Sequence, residues 1–197
     1  MNFDSFKWLN ESKMTLSGDK ITIEAPPLSD FFNNPVAENG KFKAPIKNAP
    51  FYYTEVEGDF VIKVKVKPNF KDIYDAACIM VIQDEYLWFK AAYEKSDFGT
   101  NAVVSVVTNK VSDDANGCNL DVDECWLQVA RVGDAFAVHY SVDGKRFDMV
   151  RVFTLPVNKT VKVGIEAQCP VGKDGGSREF SGLSIERRSI GDMRKGL

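Results

Sequence analysis

Acid–base, nucleophilic and metal chemistry start from a short list of side chains, and in this chain of 197 residues the list is sparse. There is one histidine, His139. Sites built on two or three imidazoles, including the HExxH proteases and most zinc hydrolases, are therefore excluded. A serine-based triad would have to use His139 with Ser141, which lies too near along the same strand to be an obvious partner. Cys78, Cys118, Cys125 and Cys169 are far apart with no CxxC pair. In a reducing compartment they read as free thiols, Cys118 and Cys125 being the pair that a turn would bring together. Among the carboxylates, Glu55, Glu57 and Asp59 share a parity, but such a cluster is most simply a solvated face. Asp121, Asp123 and Glu124 form an acidic loop after Gly117 that offers oxygen ligands to a hard cation only weakly. Neither cluster supplies in recognisable form the pair of acids that glycoside hydrolysis needs, about 5 Å apart for retention or about 6.5 to 9.5 Å for inversion. No P-loop, no GxGxxG after a strand and no paired metal-ligand motif is present. The sequence therefore assigns no catalytic residue, no metal and no cofactor.

A second set of residues carries recognition chemistry. Trp88, Lys90 and Glu94 share one parity against Leu87, Phe89, Ala91 and Tyr93 on the other. His139 alternates with Val138 and Tyr140, and Arg151 with Val150 and Val152. Glu166 and Gln168 alternate with Val163, Ile165 and Ala167, while Gln128 lies on the parity of Trp126. If their strands are neighbours, Trp88, Lys90, Gln128, His139, Arg151, Glu166 and Gln168 gather on one face as a ligand-binding site. A tryptophan ring among Gln, His, Arg, Glu and Lys suits a sugar, the ring stacking on C–H faces while the polar groups bond hydroxyls. Arg151 and Lys90 would also suit a phosphorylated sugar or small acid. The competing reading is a buried salt-bridge network that fills the face. Tyr52 and Tyr53, near the Pro50 turn, offer a rim contact. Lys63, Lys65 and Lys67 read as an ordinary solvated edge.

These residues must be positioned by strands. Segments of five to nine residues recur with turn residues between them: Ile21 and Ile23 alternate with polar neighbours, as do Phe60, Ile62, Val64 and Val66, which is the period of a half-buried antiparallel strand. Trp126 to Phe153 reads as a three-stranded meander turning at Gly133-Asp134 and at Asp143-Gly144, the latter expected as a type I′ turn. Asp72 to Lys95 is ambiguous between a long helix and two strands turning at Asp84-Glu85. The β-branched residues of Cys78 to Ile82 favour strands. Ten or eleven evenly spaced strands suggest a two-layer sandwich.

Composition sets the remaining bounds. Apolar residues make up 44% and charged residues 27%, enough for a core and too ordered a mixture for intrinsic disorder. With 25 basic and 28 acidic residues, net charge −3, the chain lacks the concentrated positive charge of a nucleic-acid or anionic-membrane binder. The N-terminus shows no secretory h-region, and the longest apolar run, Ala76 to Ile82, is far short of the roughly 20 residues of a membrane helix. A single cytoplasmic domain over residues 1–197 is the expectation, and no linker or repeat divides the chain.

Phe6-Lys7-Trp8-Leu9-Asn10, Glu24-Ala25-Pro26-Pro27 leading into Ser29-Asp30-Phe31-Phe32, Gly58-Asp59-Phe60, Tyr74-Asp75-Ala76-Ala77, Trp88-Phe89-Lys90 with Glu94, and Ser141-Val142-Asp143-Gly144 together resemble an uncharacterised concanavalin A-like lectin/glucanase domain family that includes the fungal regulation-of-enolase protein. The order and spacing of these motifs, rather than any one of them, carry the resemblance over nearly the whole chain. It implies an all-β, jelly-roll β-sandwich of two antiparallel sheets, one of them curved with a concave outer face. It also implies a link to carbohydrate metabolism: a sugar or sugar-phosphate bound on that face, or a glycolytic enzyme such as enolase as partner. Lectins, glycosidases and interaction modules share such a sandwich, so a glycoside hydrolase-like activity is the third alternative. Residues 33–48 form a stretch long enough to cover one end of the sheet.

Overall fold

Alternating apolar residues give most strands one face to bury, and the chain satisfies them by packing two antiparallel sheets face to face. The computed structural model describes residues 3–197. In chain order its strands are β1 (Lys7–Leu9), β2 (Met14–Ser17), β3 (Lys20–Ala25), β4 (Phe31–Phe32), β5 (Ile46–Lys47), β6 (Phe51–Glu57), β7 (Phe60–Lys67), β8 (Ala76–Asp84), β9 (Leu87–Lys95), β10 (Asn101–Asn109), β11 (Val111–Leu120), β12 (Cys125–Val132), β13 (Ala135–Ser141), β14 (Asp148–Thr154), β15 (Thr160–Gln168) and β16 (Gly176–Glu186). The first sheet runs β1-β6-β15-β8-β9-β10-β11 and the second β14-β13-β12-β7-β16-β3-β2, with β4 and β5 forming a separate ribbon. Among the described residues no helix is long and apolar enough to cross a membrane.

The core lies between the two sheets. Phe60, Ile62, Val64 and Val66 of β7 join Ile79 and Val81 of β8 and Phe89, Ala91 and Tyr93 of β9 in one buried cluster. Phe89 meets Phe136 at 4.8 Å and Phe153 at 4.9 Å between ring centroids, both edge-on, the geometry that aromatic quadrupoles favour. The expected inward parity of β9 is thus realised. Residues 76–95 form a strand pair rather than a helix, and the Tyr86 amide donates to Asp84 Oδ1 at 2.9 Å in the turn. Cys78, Met80 and Ile82, on the opposite parity of β8, are also buried, because residues 28–50 lie across the outer face of the first sheet.

Two expectations need correction, and one strand lies outside those expected. β7 is the middle strand of the second sheet, not an edge. Lys63, Lys65 and Lys67 face solvent from that centre, Lys65 paired with Glu124 at 2.9 Å. The β13–β14 connection is not type I′, because of its two central residues only Gly144 has positive φ, at 72°. Asp143 instead accepts from the amides of Lys145 and Arg146 and from Ser141 Oγ, a side-chain-built turn. Finally, β11 (VSDDANGCNL) is a strand despite its composition. As the last strand of its sheet it needs little apolar surface, and a register shift opposite Val103 and Val104 breaks its alternation.

Candidate functional site

The outer face of the first sheet has a hollow in it. Antiparallel register places Gln168, Ala76, Glu94 and Ala102 in one row across β15, β8, β9 and β10, and Glu166, Cys78, Ala92 and Val104 in the next. The following row holds Gly164, Met80, Lys90 and Val106, reaching Asp114 on β11. Ala76, Cys78, Ala92 and Ala102 are short, so the longer polar residues of the neighbouring positions lean over them. Residues 28–50 roof part of this face. Phe31 packs edge-on against Trp88 at 6.0 Å, Ser29 pairs with Cys169 through the backbone, and Asn10 Nδ2 donates to Lys47 O and Ala49 O. The buried Asn33 side chain donates to Glu85 O and Lys110 O, and Lys47 pairs with Glu85.

What remains open is a cleft of about 250 Å³ bounded by the polar groups of Asp30, Lys90, Glu94, Asp114 and Gln168, with Phe32, Tyr74 and Val106 as its apolar margin. Lys90 organises it. Its buried ammonium donates to Asp30 Oδ1 at 2.8 Å, Phe31 O at 2.9 Å and Gln168 Oε1 at 2.6 Å. Burial works against this charge, but Asp30 and Glu166 outweigh it and hold the ammonium above its ordinary pKa. The Gln168 amide then donates to Tyr74 O at 2.8 Å and to Glu94 Oε2 at 3.4 Å. Burial pushes Glu94 up to about 8, opposed by Lys90 and reinforced by Asp114, Asp30 and Glu166. Asp114 is raised for the same leading reason. Glu166 is fully buried with no hydrogen-bond partner of ordinary geometry on either oxygen. Burial lifts it to about 7 despite the nearby Lys90 charge.

Of the seven residues expected to gather, the first sheet brings together Trp88, Lys90, Glu166 and Gln168. Trp88 is not a sugar platform there, because Phe31 covers it and leaves it fully buried. Gln128 and His139 stand on the outer face of the second sheet. Gln128 Nε2 donates to Gly196 O at 3.2 Å and His139 Nε2 bonds Met193 O at 2.9 Å, so the C-terminal segment covers both. Arg151 lies at the sandwich edge, paired with Asp113 at 3.1 Å and over the Phe153 ring. The gathering fails because alternation gives parity within a strand but not the sheet to which the strand belongs. The rim expected from Tyr52 and Tyr53 is also absent: Tyr52 packs on Trp8 and Phe6, and Tyr53 stacks on Phe51. The sequence does not single out Asp30, Phe32, Tyr74 and Asp114 as site residues. The Ser29-Asp30-Phe31-Phe32 motif was visible; Asp114 was hidden in the polar β11.

Elsewhere, Asp72, Asp75 and Cys169 offer donor atoms within 4.8 Å of one another. The buried Arg178 guanidinium already sits 2.6 Å from Asp75, so the group has its cation. All four cysteines are free thiols.

A family model described as "Protein of unknown function (DUF1349)" matches residues 8–188. "Regulation of enolase protein 1" of Saccharomyces cerevisiae is 28% identical over 180 residues, 90% of this chain and 87% of that protein. The crystal structure of a functionally unknown protein from Saccharomyces cerevisiae superposes with a TM-score of 0.85 at 27% identity, covering 97% of this chain and 100% of that one. The carbohydrate-binding module CBM66 from Bacillus subtilis, 12% identical, superposes with a TM-score of 0.61 over 92% of this chain and 95% of its own. It shares the fold alone, a jelly-roll β-sandwich.

Proposed function

The chain belongs to the DUF1349 family, and we propose that it is a non-catalytic cytoplasmic binding or regulatory protein linked to carbohydrate metabolism, taking a sugar in the cleft over the first sheet. The cleft itself carries this reading. At about 250 Å³ it has room for a small ligand. Asp30, Lys90, Gln168 and Glu94 are tied together by hydrogen bonds, which lowers the ordering cost of recognition. Phe32 and Tyr74 at its margin supply apolar surface for C–H faces. The sugar therefore meets Asp30, Glu94 and Asp114 rather than the expected Trp88. A phosphorylated sugar is disfavoured, because Arg151 lies elsewhere and the Lys90 ammonium is already saturated.

The test is a thermal-shift screen of the intact chain against monosaccharides and disaccharides. A ligand at about 100 times its Kd raises stability by about 2.7 kcal/mol, and Asp114→Asn, which leaves the roof of residues 28–50 intact, removes the shift. An unchanged transition across the panel contradicts the proposal. The name of the Saccharomyces cerevisiae relative favours a second reading, in which the chain acts on enolase. Direct titration of purified enolase into the chain tests it, and the absence of heat or mobility change at micromolar concentrations counts against it.

A further inference from the structure

Donors and acceptors in the cleft are unequally available. The three protons of Lys90 go to Asp30, Phe31 and Gln168. Both protons of the Gln168 amide go to Tyr74 O and Glu94, and the Tyr74 hydroxyl donates outward to Asp97 at 3.2 Å. Apart from the exchangeable proton of Glu94, these donors are committed within the protein, whereas the carboxyl groups of Asp30, Glu94 and Asp114 line the cleft. An occupant must therefore bring donors of its own. A phosphate or carboxylate brings none and meets three acidic side chains against one neutralised ammonium. A hydroxyl satisfies the acceptors, and an ammonium does so with charge assistance.

We infer that the cleft selects a sugar bearing an amine, held as an ammonium among Asp30, Glu94 and Asp114. This rests on the reading of the cleft as a sugar site and narrows it. Glu94 stands at the centre of the arrangement. Lys90 faces it from its own strand, Asp114 from β11, Asp30 from the roof, Tyr74 from the turn before β8, and Glu166 and Gln168 from β15. Lys90 alone does not offset burial and these acids at Glu94, so the free cleft favours a proton on Glu94 at neutral pH, in line with its rise to about 8. A bound ammonium replaces that proton, so binding is accompanied by proton release.

The experiment is calorimetric titration at neutral pH in two buffers of different ionisation enthalpy. The probes are glucose, galactose and mannose, each as the free sugar, as its 2-amino- and 6-amino-deoxy forms, and as its 6-phosphate. At least one aminated form should bind about tenfold or more tightly than its neutral parent, with a buffer-dependent enthalpy reporting proton release. Glu94→Gln and, separately, Asp114→Asn should reduce that preference to near unity, and the ratio of affinities is read even if absolute stability changes. Equal binding of neutral and aminated forms overturns the amine inference while leaving the sugar site standing. Tighter binding of the phosphates overturns it as well. Binding of none of these sugars overturns both.

Discussion

The Lys90 ammonium lies 2.6 Å from Gln168 Oε1, reaching from β9 across β8 to β15. This contact fixes which way the amide points, its oxygen toward Lys90 and its nitrogen toward Tyr74 and Glu94. One buried charge thereby sets the polarity of the whole cleft. Replacing it with an apolar residue of similar length, Lys90→Met, leaves Asp30, Phe31 O and Gln168 Oε1 without their donor. The expected loss is about 3 to 5 kcal/mol, read as a drop in the urea midpoint at unchanged slope. A midpoint within error of the parent would show that the network contributes nothing.

The two buried acids on this face give the protein a distinctive pH response. Both carry folded pKa values above the ordinary 4.5, Glu94 about 8 and Glu166 about 7. Between pH 4.5 and those values the folded state binds more protons than the unfolded chain, so their contribution falls as pH rises through that window and is constant above it. Glu166→Gln keeps the shape and removes the charge. At mildly alkaline pH it should stabilise the protein, by on the order of 3 kcal/mol at most, and it should flatten the slope that the parent shows. Chemical denaturation across pH checks both, and a parent whose stability rises through this window as pH rises contradicts the assignment.

Residues 28–50 hold Trp88 out of water, and Asn33 is their central anchor. Its backbone N–H also donates to the Ser112 hydroxyl at 2.9 Å. Asn33→Ala deletes two side-chain bonds and should cost about 1 to 3 kcal/mol. It should also loosen Phe31 over Trp88, so that tryptophan emission becomes more accessible to a soluble quencher. Unchanged quenching would mean that the roof is held mainly elsewhere.

His139 makes the opposite sheet sensitive to acid. Burial lowers its pKa below 6.5, opposed by the carbonyls of Met193 and Arg194. The folded state therefore binds fewer protons than the unfolded chain between those values, and the stability it lends is lost as pH falls through about 6.5. Protonation adds a donor at Nδ1, which faces the Gln128 amide at 3.4 Å. Hydrogen exchange should show residues 190–197 opening faster in mild acid, with His139→Gln reducing the dependence. Protection independent of pH would remove the histidine from this role.

The sequence made much of the architecture legible, because the core uses strict alternation: β3, β7, β9 and the β12–β14 meander follow directly from their apolar parities. Short or polar strands escaped it. β11 escaped because Asp113, Asp114 and Asn116 carry no apolar stripe, and with it went Asp114 as a site residue. Lys90 and Gln168 were identifiable as polar residues on an otherwise apolar pair of strands. Gln128, His139 and Arg151 show the same local signal, and only sheet order separates them. Trp88 failed as a platform for another reason, since burial there depends on Phe31, nearly sixty residues away in sequence but in edge-on contact.

The most direct measurement of the central claim is a nuclear magnetic resonance titration of the isotopically labelled chain with the neutral and aminated hexoses. Saturable shifts should centre on Asp30, Phe32, Tyr74, Glu94 and Asp114, leaving Gln128 and His139 on the opposite sheet unmoved. Shifts that map to the second sheet, or a spectrum unchanged at millimolar sugar, would contradict a sugar site in the cleft.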